Sequence, residues 1–506
     1  MFVVHLTGNS ERGLKMLFRK VNSIIFVFAS TLLASATTPV VTVTSPGSGA
    51  SVGSPVNFVA SASSSGCAKG ISAMRIYTAP GVDAYTTMSG NLNTNINLPK
   101  GSYSAVVQAW DKCGGVGKKA VNFTVSKINL SPAKFLYATE YKAGKIAGYK
   151  VNPLTGSIMA TSQGSTWAHW GPVDIASDFW GNHLYVANQG SHDVSAYIIN
   201  RSSGNLTQVP GSPFSLVGTG TRVAVHPSGK FVYVTSTDGK GGNFGINVFS
   251  VQRNGSLTPV PGTPFGMGEV SGSAAIAVTT KYLYVSAEIS APQNGAIAAY
   301  AIDQISGALT PVPGSPFLTP LDPGCTSPCH DIPTDLGADS KGLYLYASLP
   351  GSDAVAGYAI DQNTGVISDL PGSPYFEGTF NPGLPKNPWR LSVATNRKFV
   401  YVGDFEGENF SVFKMHASTG VLTFAQSINA LNLKGLCIPL TLNIDPSSTF
   451  LFSIGTTQAV CQGTHALTGY SINQSNGNLM SVPGSPFPTS NVGTSTTSEE
   501  RVLVTR

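Results

Sequence analysis

The stretch TRVAVHPSGKFVYVTSTDGKGGNFGINVFSVQRNGSLTPVPGTPF, residues 221–265, decides the fold. Val223–Val225 reads as a short strand ahead of the tight turn HPSGK. Phe231–Thr235 reads as a second strand, because it is rich in aromatic and β-branched residues. A polar, Gly-rich loop leads to a third, Ile246–Val251. QRNGS reads as a hairpin turn in which Gly255 takes the left-handed conformation. Leu257–Val260 is then an outer strand, and Pro261 ends it where a missing N–H costs least and blunts an exposed edge. Gly262 permits the bend, and Phe265 is placed to plug the gap to a neighbouring unit.

Four strands in roughly 40–50 residues make one propeller blade. The unit recurs. Its closing phrase returns as LTQVPGSPF (206–214), LTPVPGSPF (309–317), ISDLPGSPY (367–375) and LMSVPGSPF (479–487). Turns of the SGNL type place glycines at Gly156, Gly204, Gly255, Gly307, Gly365, Gly420 and Gly477, spaced by 48, 51, 52, 58, 55 and 57 residues. Seven second strands accompany them, from FLYAT at Phe135 to FLFSIG at Phe450. The spacing predicts an all-β, seven-bladed propeller over residues 132–506. An inner strand is visible ahead of six second strands (DIAS, RVAV, AIAV, DLGA, RLSV, TLNI), but not ahead of KFLYAT. Arg501–Arg506, in the terminal EERVLVTR, is therefore expected to return as the inner strand of blade 1 and close the ring.

Two segments precede the propeller. Arg12, Lys15, Arg19 and Lys20 lie ahead of SIIFVFASTLLASA, which ends in Ala34-Ser35-Ala36. That is a secretory signal over residues 1–36, with Met1 or Met16 as its start, and it is too short for a comfortable membrane span. No later segment reads as a span, so the protein is expected to be secreted, periplasmic or on the cell surface. Residues 37–127 alternate, break at Pro and Gly and alternate again, which predicts a small β-sandwich of immunoglobulin-like type. The boundary should fall at SKINLSP, residues 126–132. The six cysteines suit export. Cys67 and Cys113 lie on the two halves of the sandwich and are expected to bridge its sheets. Cys437 pairs with Cys461, and Cys325 with Cys329 within CTSPC, unless those last two stay free thiols.

Charged residues form 11% of the chain, against about 25% in ordinary domains. The formal charge is +5, and loss of residues 1–36 leaves +2. Nothing in this balance suggests a nucleic-acid partner. H-E-x-x-H and phosphate-loop motifs do not occur, so neither a metal nor another cofactor is expected.

Chemistry should sit where inner-strand entrances and the loops between second and third strands share one face. Aligning the entrances gives Asp174, Arg222, Ala275, Asp335, Arg390, Thr441 and Arg501. Three Arg and two Asp would ring the channel mouth. They either pair with one another and close it, or leave a spare Arg for a carboxylate or phosphate. Arg390 has Trp389 beside it as a flat apolar wall. Loops of that face add Trp167, His169, Trp170, Glu140, Tyr141, Asn188, His192, Glu288, His330, Asp331, Asp404 and Glu406. In STWAHWGP, aromatics with a His suit a sugar ring or simply cap the loop. In HDIPTD, His330 is a candidate general base with Asp331 or Asp335 as orienter.

LYVANQGSHDVSAYIINRSSGNLTQVPGSPF resembles the lactonase family of seven-bladed propellers, which includes bacterial 6-phosphogluconolactonase. YVAN at Tyr185–Asn188 also resembles the Tyr-Val-Thr-Asn surface repeats, and residues 37–127 resemble bacterial immunoglobulin-like modules. The lactonase resemblance covers residues 132–506 and implies hydrolysis of a lactone. CHDIPTDLGAD matches the family's His-bearing segment through His330, and Pro388-Trp389-Arg390 stands for its Pro-Arg-His. Ser348-Leu349-Pro350 departs from its Asp-Leu-Gly. Two functions follow. One is a lactonase using His330, Arg390 and Asp335, with Arg222, Arg501, Asp174, Trp389, Glu288 and Asp404 around the ligand. The other is a non-catalytic scaffold that recognises a carbohydrate or protein, with the sandwich as a contact to the cell envelope.

Overall fold

The strands belong to two units, Met1–Asn129 and Leu130–Arg506. The computed structural model describes residues 38–506 except 55, 80–81, 97, 99–100, 129–133, 238–243, 268–269, 272–274, 291–292, 322–329, 378–386, 431–432, 434–438, 457–464 and 488–499. The signal segment 1–36 and Cys325, Cys329, Cys437 and Cys461 lie outside the described residues. Among those described there is no α-helix, and none long and apolar enough to cross a membrane.

In the first unit, Val40–Ser45, Val56–Ser63 and Asn91–Ile96 form one sheet. Ala50–Ser54, Val116–Ile128, Gly101–Asp111, Ile71–Ala79 and Val82–Thr87 form the other. Alternation points Phe58 and Ala60 of one sheet, and Ala105, Val107 and Ala109 of the other, into a single buried cluster with Ile76 and Phe123. Cys67 and Cys113 are disulfide-bonded, with Cα atoms 5.8 Å apart. The bridge does not run from strand to strand across the two sheets, as expected. Cys67 lies in the crossover after Ser63 and Cys113 in the hairpin after Asp111, so the bond ties a connection to a turn.

The second unit is seven antiparallel sheets built in succession. Blade 3 runs Thr219–Val225, Phe231–Thr237, Phe244–Val251 and Leu257–Pro259 from inside to outside. The second strands are buried along their length, as in Phe135–Glu140, Tyr344–Leu349 and Phe399–Asp404. Both their faces are covered by neighbouring blades, which is why they read as continuous aromatic and β-branched runs.

The two sequence landmarks interlock. The residue opening each second strand packs on the hairpin glycine of the next blade. A Cβ on Gly204 would lie 2.4 Å from the Phe135 ring, and one on Gly307 2.4 Å from Phe231. Phe450 meets Gly156 in the same way, carrying the pattern from blade 7 to blade 1. Two positions on, buried tyrosines donate to the same turns: Tyr137 to the Gly204 carbonyl at 2.8 Å, Tyr346 to Gly420 at 2.7 Å and Tyr401 to Gly477 at 2.7 Å.

The PGSPF phrase does more than end a strand. After Gly262 (φ 90°) and a cis Thr263-Pro264 bond, the chain turns back. Phe265 and Gly266 then pair with Ile246 and Gly245 of the third strand. Phe265 packs against Ile246 of blade 3 and Val285 of blade 4, between the two sheets. Val502–Thr505 pairs with Phe135–Ala138 as the inner strand of blade 1. Val502 and Val504 are buried with Leu136 of blade 1 and Phe452 of blade 7. Arg506 caps this strand: its guanidinium lies 3.6 Å from the Phe179 ring centroid, and its carbonyl accepts a hydrogen bond from Arg201.

Candidate active site

On blades 2, 3, 6 and 7 the register between inner and second strands slips just before the entrance residue, ahead of Asp174, Arg222, Arg390 and Thr441. A one-residue bulge re-aims the side chain that follows it. Arg390, Arg501, Arg222, Asp335 and Asp174 come from five blades, yet all act electrostatically on one group. Burial pulls the Arg390 guanidinium well below its ordinary pKa, Arg501 and Arg222 pull it further, and Asp335 and Asp174 oppose them. Residues of five blades influence one another in this way only around the shared axis.

The carboxylates are engaged chiefly by backbone. Asp174 accepts the Val223 N–H of the next blade at 2.8 Å, and its other oxygen stands 3.7 Å from Arg501 Nε. Asp335 accepts the N–H groups of Leu336 and, on the next blade, Leu391, both at 3.0 Å. Ser392 and Asn443 link blades 6 to 7 and 7 to 1 in the same manner, accepting from Ile444 and Val504. The acidic residues are therefore blade-to-blade clasps before they are counter-ions.

The guanidiniums rest on carbonyls. Arg222 donates to Thr221 at 2.8 Å, and Arg390 donates to Thr334 at 2.7 Å and to Trp389 at 3.3 Å. Among the described residues neither makes an ion pair. Arg390 is only 5% exposed. Its Nε, the Trp389 Nε1 and the Asn387 Oδ1 are buried without a hydrogen-bond partner among the described residues. The Trp389 ring stacks 5.4 Å from the Arg390 guanidinium and 5.7 Å from Phe405. Among the described residues, Arg390 Nε and the Trp389 N–H are thus two buried donors left to offer to an anion or a polarised carbonyl, whereas Asn387 Oδ1 calls for a donor.

The His330 ring is held through Nδ1 by the Thr319 carbonyl. Neither expected orienter serves it: Asp331 accepts the Ser352 N–H at 2.8 Å, and Asp335 is engaged as above. With Nδ1–H donated to a carbonyl, Nε2 is the basic nitrogen. Asp404 is buried at the end of the blade 6 second strand and accepts from Ser411 at 2.9 Å. Glu288 lies half-buried near the end of the corresponding blade 4 strand. Glu140 is buried on blade 1, and its pKa is raised by that burial and by Glu500, against Lys145.

Trp167, His169 and Trp170 form a separate group at the blade 1–2 junction. His169 Nδ1 lies 2.5 Å from Asp193, which also accepts from Asn188 at 2.7 Å. Sequence reasoning missed Asp193, Thr334, Asn387 and Glu500. A signal for the first existed: N-x4-D-x-S at Asn188, Asp193 and Ser195 recurs as D-x4-N-x-S at Asp404, Asn409 and Ser411.

The sequence profile of the family described as "Lactonase, 7-bladed beta-propeller" matches residues 115–215 and 217–380, more than half of the chain. The chain belongs to this lactonase family. It is 25% identical over 273 residues to a protein of Arthroderma benhamiae catalogued as a probable 6-phosphogluconolactonase, covering 50% of this chain and 64% of that relative. Among solved structures, the periplasmic gluconolactonase of Pseudomonas aeruginosa superposes with TM-score 0.55 at 16% identity, covering 74% of this chain and 99% of its own. A 6-phosphogluconolactonase candidate from Bacteroides uniformis gives TM-score 0.55 at 16% identity, covering 74% of this chain and all of its own. At that identity these two structures bear on the fold of this lactonase-family chain and not on its substrate.

Proposed function

We propose that this lactonase-family protein is exported and hydrolyses a sugar lactone, or a similar cyclic ester, at the channel mouth. The observation that carries the reading is Arg390: buried, paired with no carboxylate among the described residues, and flanked by the Trp389 N–H, which has no partner among them. In hydrolysis, water adds to the lactone carbonyl, the ring C–O bond breaks, and a carboxylate and a hydroxyl result. In this reading His330 Nε2 acts as the base for the water. Arg390, with Arg222 and Arg501 adding positive potential, stabilises the oxyanion and then the product carboxylate. The lactonase names of the relatives, and the periplasmic one among them, support an exported lactonase. We assign the first unit as its immunoglobulin-like module, on its two packed sheets.

One observation favours a second reading, a non-catalytic binding protein: among the described residues the His330 ring is oriented by the Thr319 carbonyl and not by a carboxylate. Titration of acid release from glucono-δ-lactone and related lactones at constant pH tests both. We expect turnover above the spontaneous rate, reduced by about 10²–10³-fold in Arg390→Ala. Arg390→Lys should also be poor, because Lys lacks the planar fork. Because Asp335 keeps its two backbone donors, Arg390→Ala should leave the melting temperature within a few degrees of wild type. No turnover in the wild type, or full turnover in Arg390→Ala, rejects the catalytic reading.

A further inference from the structure

Two of the five tryptophans are largely exposed, and they stand three residues apart: Trp167 at 56% and Trp170 at 59%. Each lies against a glycine. A Cβ on Gly144 would fall 3.2 Å from the Trp167 ring, and one on Gly190 1.9 Å from the Trp170 ring. These glycines belong to the hairpin turns of blades 1 and 2, so part of each indole packs on a turn while more than half of each residue stays exposed.

The segment between them is fixed at both ends. Ala168 donates to Gly144 at 2.8 Å, Gln189 to Gly171 at 2.7 Å, and Ser191 to Trp170 at 3.2 Å. Tyr197 donates to the Trp167 carbonyl at 2.6 Å. His169 is held at φ 135°, a strained backbone for a side-chain-bearing residue, with its ring on Asp193. Its side chain is 40% exposed. With Nδ1–H given to Asp193, its outer nitrogen is left as a hydrogen-bond acceptor between the two rings in sequence.

We propose that Trp167, His169 and Trp170 form a carbohydrate-binding platform, distinct from the channel site, that stacks the C–H face of a neutral pyranose and binds one of its hydroxyls. Such rings offer an apolar face and a polar rim, which a flat indole and an imidazole nitrogen complement. The segment 165–171 itself contains no Lys, Arg, Asp or Glu, and Lys145, opposite Trp167 in the sheet, can donate to a hydroxyl of a neutral glycan. The platform is already ordered by its backbone bonds, which limits the entropy lost on binding. This inference does not depend on lactone hydrolysis.

Affinity electrophoresis of the whole protein tests it, in native gels cast with hydroxyethylcellulose, laminarin, xylan or galactomannan. At least one polysaccharide should retard the wild type, and Trp167→Ala and Trp170→Ala should each weaken that retardation about tenfold or more. Arg390→Ala should be retarded like the wild type. His169→Ala, at an exposed position, is the control against misfolding: it should weaken retardation with the melting temperature unchanged. Overturning results are no retardation in any gel, full retardation of the three platform variants, or binding to phosphatidylglycerol vesicles in place of the polysaccharides.

Discussion

Gly307 and Gly314 lie seven residues apart in blade 4, with φ of 79° and 85°. Alanine at either position must adopt a left-handed backbone, at about 1–2 kcal/mol. Their surroundings differ. A Cβ on Gly314 meets only the Phe317 ring edge at 3.6 Å, an ordinary contact. A Cβ on Gly307 lands 2.4, 2.6 and 2.9 Å from three atoms of the Phe231 ring, which is itself buried between blades 3 and 4. The ring must move by about 1 Å in a packed core, which adds about 1–3 kcal/mol. Gly314→Ala should therefore cost about 1–2 kcal/mol and Gly307→Ala about 2–5. Urea unfolding followed by fluorescence and circular dichroism measures both. Phe231→Ala completes a cycle: in its background the extra penalty at Gly307 should vanish. Equal losses at the two glycines, or no coupling to Phe231, would refute the claim that the seven turn glycines are the seats of the neighbouring blades' aromatic residues.

Three further outcomes are expected. Deleting residues 502–506 removes the inner strand of blade 1 with two buried valines, worth about 3–6 kcal/mol by area alone, so the melting temperature should fall sharply; an unchanged melting curve contradicts the pairing. His226 donates from Nε2 to Thr280 at 3.0 Å, and burial, with a smaller contribution from Lys230, depresses its pKa. A base with a depressed folded pKa contributes stability that is present above its unfolded value of about 6.5 and lost as pH falls through the folded one. His226→Gln should therefore flatten the acid limb of stability against pH, and an unaltered limb would count against this assignment. Cys67→Ser opens a loop with sequence separation 46, which should destabilise the first unit by about 2–4 kcal/mol; unfolding of that unit at wild-type urea concentrations would show the bridge to be dispensable.

The propeller was legible because its period is written in residues with one structural use. Aromatic openers such as Phe231 and turn glycines such as Gly307 mark every blade, since each must fit the other. The return of Phe265 onto the third strand was not legible: a Pro-rich phrase announces an end, and only the register shows the chain pairing again. The entrance residues are close enough in the structure to act on one another, but the way the acidic ones are held was not legible. Asp174 does pair with Arg501, as the alignment allowed, but Asp174 and Asp335 are also engaged by the N–H groups of Val223 and Leu391 on adjacent blades, and no spacing within one blade reveals a donor supplied by the next. His169, in the connection after Trp167, and Asp193, at the start of the third strand of blade 2, are 24 residues apart, beyond any local pattern.

The sheet of blade 1 joins residues 362 positions apart, as the Arg501–Thr139 contact shows. A ribosome adding about 5–20 residues per second needs roughly 20–70 s to make the chain between them. For that interval the strand Phe135–Glu140 exists without its inner neighbour, and six blades are complete or forming around an unsealed junction. Residues 502–505 thus decide whether the ring is shut, and a chain that stops short of them is left with an adhesive edge rather than a slightly shorter protein.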